Sequence, residues 1–175
     1  MNRWWRLLRH RWMDRHDSAR AVPDDMAERL TRRVTASEAR HTGEVRLVVE
    51  AALPTSYLLR IGPREPLAAV VRDRALAWFG RLRLWDTEHN NGVLIYLLLA
   101  EHAIEFVADR ALARRVPPET WQAIVDRLGA QLRAGGFEDG LTQVLEEVSA
   151  LLVQHFPSDA AAPGENELPD AVLRA

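Results

Sequence analysis

Apolar positions along this chain recur with two different periods, and the changes of period mark its elements. Met26, Leu30 and Val34 repeat at i, i+4 and i+8, which predicts a helix from about Asp24 that stops before Gly43. Asp24 and Asp25 suit its start, as capping acceptors and as negative charge at the positive end of the helix dipole. Residues 44–53 alternate instead. Val45, Leu47 and Val49 share one face and Arg46, Val48 and Glu50 the other, which reads as a half-buried strand closed by Pro54. Residues 54–65, with two prolines and a glycine, read as a loop.

Helical spacing returns over 66–84, where Leu67, Val71, Ala75, Trp78 and Leu82 keep one face and Pro66 suits the first turn. Residues 93–99 are apolar on both faces, as in a central strand covered by helices on each side. After a short turn at 100–102, residues 103–108 return as an antiparallel neighbour, and a turn there sets Val93 opposite Ala108. A helix then begins at Pro117–Pro118 and stops at Gly135–Gly136, Pro first and Gly last. It carries Trp121, Ile124, Val125, Leu128 and Leu132, and a last helix from about Glu138 carries Leu141, Val144, Leu145, Val148, Leu151, Leu152 and His155 before Pro157. The order α-α-β-α-β-β-α-α predicts an α/β sandwich of few strands and many helices.

The two ends differ from this middle. Residues 1–16 read as one basic amphipathic helix in which Trp5, Leu8 and Trp12 form a stripe among Arg3, Arg6, Arg9 and Arg15. Such a helix suits peripheral contact with an anionic membrane surface. The competing reading packs the Trp stripe on the domain or on a second subunit and leaves the arginines in water. Residues 158–175 are rich in Ala, Pro and acids and read as a disordered tail. The division expected is therefore 1–16, a domain over 17–157, and the tail.

Composition removes several kinds of chemistry. The chain has no Cys, which excludes disulfides, thiolate metal sites and cysteine nucleophiles. All 23 basic residues are Arg, so neither a Schiff-base lysine nor a phosphate-loop lysine is available. A net charge of −2, with no basic module interleaved with aromatics inside the domain, gives no nucleic-acid signature. No run of about 18 apolar residues occurs, and the basic N-terminus lacks the apolar core of a secretory signal. The expected location is cytoplasmic, peripheral to a membrane if the first helix binds one.

The polar run WDTEHNN, residues 85–91, feeds the central strand. Asp86 and the Asn90–Asn91 pair lie just before that strand, and Asp109 lies just after its hairpin partner. The Val93–Ala108 register sets Asp109 near Asn91 and Gly92, with Asp86 within reach through the loop. Carboxylate and amide oxygens of this kind suit a hard cation such as calcium or magnesium. Asp17 adds a third carboxylate if the first helix of the domain begins beside this sheet edge. The plainer reading is a turn in which Asn-Asn-Gly supplies a positive φ and Asp86 caps backbone amides. Glu88 and His89 are expected to face solvent. His89 and His102 sit at opposite ends of the hairpin, so they do not form a shared site, while His41 and His155 fall at element ends, where capping or solvation explains them.

Several of these residues resemble the TPM-domain family, named after its plant thylakoid, photosystem-repair and receptor-modulator members. The likeness is densest at Asp86-Thr87, at Asn91-Gly92-Val93-Leu94-Ile95-Tyr96 and at Val107-Ala108-Asp109-Arg110. Thr42-Gly43-Glu44-Val45, Trp121, Gly136-Phe137, Gly140-Leu141 and His155-Phe156-Pro157 extend it over residues 17–157. Residues 17–23 resemble the family's Asp-x-Ala-x-x-Leu-Ser approach to the first helix, with Val22 and Pro23 in place of Leu and Ser.

The resemblance implies a three-layer α/β/α sandwich around a small mixed β-sheet, and calcium or another divalent cation as ligand, here on Asp86, Asn91, Asp109 and Asp17. It implies a binding or interaction module with a membrane-surface or membrane-protein partner. The alternative it carries is a metal-dependent acid phosphatase, a phosphomonoester hydrolase in which Arg110 clamps the phosphate. Two departures stand out: no signal or membrane-spanning segment is expected here, unlike in exported or membrane-anchored members, and the frequent Asp-x-Gly after the second hairpin strand is Asp109-Arg110-Ala111.

Overall fold

The computed structural model describes residues 3–158 and 172–175. The helices are α1 (Arg3–Trp12), α2 (Arg15–Ala21), α3 (Asp24–Glu38), α4 (Thr55–Leu58), α5 (Leu67–Arg81), α6 (Arg110–Ala113), α7 (Pro118–Arg133) and α8 (Phe137–His155). The strands are β1 (Val45–Glu50), β2 (Val93–Leu98), β3 (Ala103–Ala108) and β4 (Val172–Arg174). They form one mixed sheet in the order β3-β2-β1-β4. β1 runs parallel to both β2 and β4, and β2 is antiparallel to β3.

Both faces of this sheet are covered, giving the α/β/α sandwich that the resemblance implies. On one face Val45, Leu47 and Val49 of β1 meet Leu30 and Val34 of α3, Leu128 of α7 and Val148 of α8. On the other, Val48, Leu94 and Tyr96 meet Val71, Ala75 and Trp78 of α5. Strand β2 is buried at all six positions, which accounts for its apolar run. Each fully buried Leu or Ile of these two cores contributes roughly 1.5–3 kcal/mol relative to its exposed state. Residues 99–101 make a 3₁₀ turn, and His102 takes the left-handed conformation at φ 49° that closes the hairpin. The register then pairs Val93 with Ala108, as the turn length predicts.

Four expectations are corrected here. The segment 1–16 is not one helix, because Asp14 ends it: its side chain accepts from the His16 N–H and starts α2 with a capping box. Strand β1 is buried on both faces, since Arg46 pairs with Glu38 and Glu44 and Glu50 is also paired inside. The last residues of the tail are ordered. Val172–Arg174 add β4 to the sheet edge, and Arg174 donates to the Val22 carbonyl and pairs with Asp24. His41 is not solvated but 2% exposed, with Nε2 at 2.8 Å from Ser37 Oγ. Among the described residues, no helix is long and apolar enough to cross a membrane.

Candidate functional site

The polar run before β2 folds as a tight loop whose backbone is bonded to itself. Asn90 takes φ 52°, a left-handed conformation that Asn tolerates better than most residues. The Asn90 N–H donates to the Thr87 carbonyl, and the Asn91 N–H donates to Thr87 Oγ1 at 3.2 Å. Gly92 has no positive φ. It is glycine for space, because a Cβ there would lie 2.2 Å from the Leu84 carbonyl oxygen. The positive φ expected of Asn-Asn-Gly therefore falls on Asn90.

Asn91 is fully buried at the start of β2. Its amide Nδ2 donates to Thr42 Oγ1 at 3.0 Å, and its carbonyl Oδ1 has no hydrogen-bond partner among the described residues. Asp109 directly follows β3, opposite Gly92 and one residue out of register with Asn91. The Asp109 N–H donates to the Gly92 carbonyl at 2.8 Å, which ties the two strand ends together. Asp109 caps the short α6 by accepting the Arg110 N–H on Oδ1 at 2.6 Å. Its other oxygen, Oδ2, is buried and also lacks a partner among the described residues. A buried acceptor left unmade costs about 1–3 kcal/mol, so two on neighbouring strand ends make the chemistry of this spot distinctive. Arg110 lies beside them, donating to Asn90 Oδ1 at 2.8 Å and standing 3.8 Å from Asp109 Oδ1.

The other two candidate ligands are not buried with this pair. Asp86 is exposed on the loop, its N–H donating to the Arg83 carbonyl. Asp17 sits at the opposite end of the sheet, in α2, between His10 and Val22. His10 accepts the Leu53 N–H past the carboxyl end of β1, and Val22 accepts from Arg174 at the end of β4. Asp17 pairs with Arg20 and closes the α2 capping box. Glu88 and His89 are both exposed. Among the described residues, no group of three or more His, Cys, Asp or Glu side chains is placed to hold a metal ion.

A second polar cluster escaped sequence reasoning. Glu50, 3% exposed at the end of β1, accepts from Arg74 Nε at 2.9 Å, Trp78 Nε1 at 3.1 Å and Tyr96 Oη at 2.6 Å. Arg74 also lies over the rings of Tyr57 and Trp78, 5.2 and 5.1 Å from their centroids. Burial, reinforced by the Glu50 charge, pushes the Tyr96 phenol well above its usual range. A signal was present: buried Trp and Tyr need partners for their N–H and O–H. Arg74, one turn before Trp78 on the apolar stripe of α5, pointed to a carboxylate facing them.

The carboxyl end of the sheet carries a third cluster. Glu101 accepts the charge of Arg6 Nε at 3.1 Å and Arg9 Nη2 at 3.2 Å, and His10 Nε2 lies 2.9 Å away. Because the Leu53 N–H donates to His10 Nδ1 at 3.0 Å, the imidazole proton sits on Nε2 and points at Glu101. Burial lowers the His10 pKa, against the opposing pull of Glu101.

The family model described as the TPM domain matches residues 16–151. The chain belongs to the TPM-domain family. The matched span holds both Asn91 and Asp109 and leaves out α1 and β4. In fold, this TPM domain is similar to the BA42 protein of the psychrophilic bacterium Bizionia argentinensis, solved by NMR, with a TM-score of 0.72 at 22% identity over 88% of this chain and 95% of that one. No match was found among curated proteins.

Proposed function

We propose that this TPM domain is a binding module that takes a hard divalent cation between β2 and β3. The observation that carries this reading is the pair of buried oxygens without a partner among the described residues, Asn91 Oδ1 and Asp109 Oδ2, on strand ends joined by the Asp109–Gly92 hydrogen bond. Carboxylate and amide oxygens are the donors that calcium and magnesium prefer. These two would hold the ion, with Asp86 on the loop before them as a further oxygen donor. Burial of both residues favours holding an ion over turning over a substrate, since a reacting group needs open access to the metal. Calcium should raise the melting temperature of the chain, because a ligand that binds only the folded state stabilises it. The rise should disappear in Asn91→Leu/Asp109→Asn. An unchanged melting temperature of the parent chain at millimolar calcium overturns the reading.

The second reading, a metal-dependent phosphomonoester hydrolase, draws on Arg110, whose guanidinium is exposed beside Asp109. Bound there, a cation would supply Lewis-acid polarisation of a phosphoryl oxygen. Arg110 would hold a second phosphate oxygen. Hydrolysis of p-nitrophenyl phosphate separates the two readings. Under the module reading, the parent and Arg110→Ala release nitrophenol at the same background rate with calcium or magnesium present.

A further inference from the structure

Helix α1 lies outside the span matched by the family, and its Trp stripe faces away from the domain. Its arginines are partly turned inward: Arg6 and Arg9 join His10 on Glu101, which is 4% exposed. Its apolar stripe is turned outward, with Trp5 69%, Leu8 46% and Trp12 82% exposed. Leu59, just beyond α4 at the same end of the sheet, is 58% exposed. A helix that hid its apolar face on the domain would show the reverse pattern.

We propose that this face docks on an anionic phospholipid bilayer while α1 stays clamped to the domain. Trp rings settle at the headgroup level of a membrane, where one part of the indole is dry and the N–H is wet. Arg9 and the exposed Arg11 flank the stripe on its two sides, the arrangement of an interfacial helix on anionic lipid. Charge decides against a second copy as the occupant. Residues 1–13 carry four Arg and no acid, so two such faces would set arginine against arginine. The clamp also fixes an orientation. With α1 on the bilayer, the carboxyl ends of β1 and β2 face the lipid. Asn91 and Asp109 then stand at the far end of β2, about 20 Å away, at the end turned from the lipid. This inference does not depend on whether a cation binds there.

The full chain should co-sediment with vesicles of phosphatidylcholine and phosphatidylglycerol at low salt, and less with phosphatidylcholine alone. Trp5→Ser and Trp12→Ser should each lower the partition coefficient about tenfold without changing the melting temperature. Because the chain has no cysteine, single reporters can be placed without background. A polarity-sensitive dye on Leu8→Cys or Leu59→Cys should shift to the blue on vesicles, and one on His89→Cys should not. A shift at position 8 alone means a detached helix and overturns the clamped orientation. A shift at position 89 overturns it too. Absence of vesicle binding overturns the proposal, as does a dimer of the parent chain that Trp5→Ser/Trp12→Ser dissolves.

Discussion

Glu50 and Asp109 are both buried carboxylates at strand ends, 3% and 6% exposed, yet their surroundings differ in kind. Glu50 meets a cation, an indole N–H and a phenol O–H, so both of its oxygens have donors. Asp109 meets one backbone N–H on one oxygen, and the other is left without a donor among the described residues. Burial of charge is common to both and so identifies neither. Satisfaction separates them. A fully satisfied carboxylate locks α5 to the sheet, whereas an unsatisfied one near an unsatisfied amide has acceptor capacity left over.

The comparison breaks most visibly at Glu50. Glu50→Ala leaves the Arg74 guanidinium, 12% exposed, without its partner and strands the Trp78 and Tyr96 donors. Loss of one partner of a buried pair costs about 3–5 kcal/mol. Urea unfolding should show a loss of that size, while any response to calcium persists in the folded fraction. A loss under about 1 kcal/mol would mean that the Glu50 cluster is not structural after all.

Gly92→Ala acts at the other end by geometry rather than charge. The added methyl would sit 2.2 Å from the Leu84 carbonyl oxygen and 3.0 Å from its carbon, and backbone cannot yield as a flexible side chain does. Overpacking of this kind costs typically 1–3 kcal/mol, and a clash with backbone falls at the upper end. It should also separate Asn91 from Asp109, so calcium stabilisation should fall with it. Unfolding and calcium titration of the same variant test both effects together.

Acid compares the two ends by titration. His41, at the amino end of the sheet, has its pKa lowered to about 4, chiefly by burial. His10, at the carboxyl end, is lowered in the same direction and for the same main reason. A folded pKa below the unfolded value of about 6.5 means that the unfolded state takes up the proton first. The stabilisation is therefore complete above about pH 6.5 and is lost as the pH falls toward 4. At pH 5, His41 alone should account for a loss of about 2 kcal/mol relative to pH 7. His41→Gln should flatten that slope in urea midpoints measured at several pH values, and an unchanged slope would place the proton uptake elsewhere.

Much of this molecule was legible because its elements are long and strongly periodic. The apolar run 93–98 could only be a covered strand, and the Pro-to-Gly span of α7 announced both of its ends. The hairpin register follows from turn length, and it sets Asp109 beside Gly92. What stayed hidden depended on contacts between distant segments. Nothing local says that Leu173 pairs with Val48, because three residues in an Ala- and acid-rich stretch carry no strand signal of their own. Asp17 was misplaced for a related reason. Spacing fixes a helix face, but only the docking of His10 on Leu53 and Arg174 on Val22 shows at which end of the sheet that helix lies. The direction in which α1 turns was equally beyond periodicity, which finds a stripe without saying whether the protein or the solvent covers it.

Asp109→Asn should have the smallest effect on the fold and the sharpest effect on the comparison. The change keeps shape and one carbonyl oxygen, and that oxygen can still accept the Arg110 N–H that caps α6. It removes a buried negative charge and turns an oxygen that has no partner among the described residues into an amide donor. Without added cation the stability should change by less than about 1 kcal/mol, because loss of the charge-assisted cap is offset by removal of a buried charge that lacks a second donor. With calcium, the melting temperature of the parent should rise and that of the variant should stay level. A variant destabilised as severely as Glu50→Ala would mean that Asp109 holds the fold together in the same way. A variant that still responds to calcium would move the cation away from the β2–β3 strand ends.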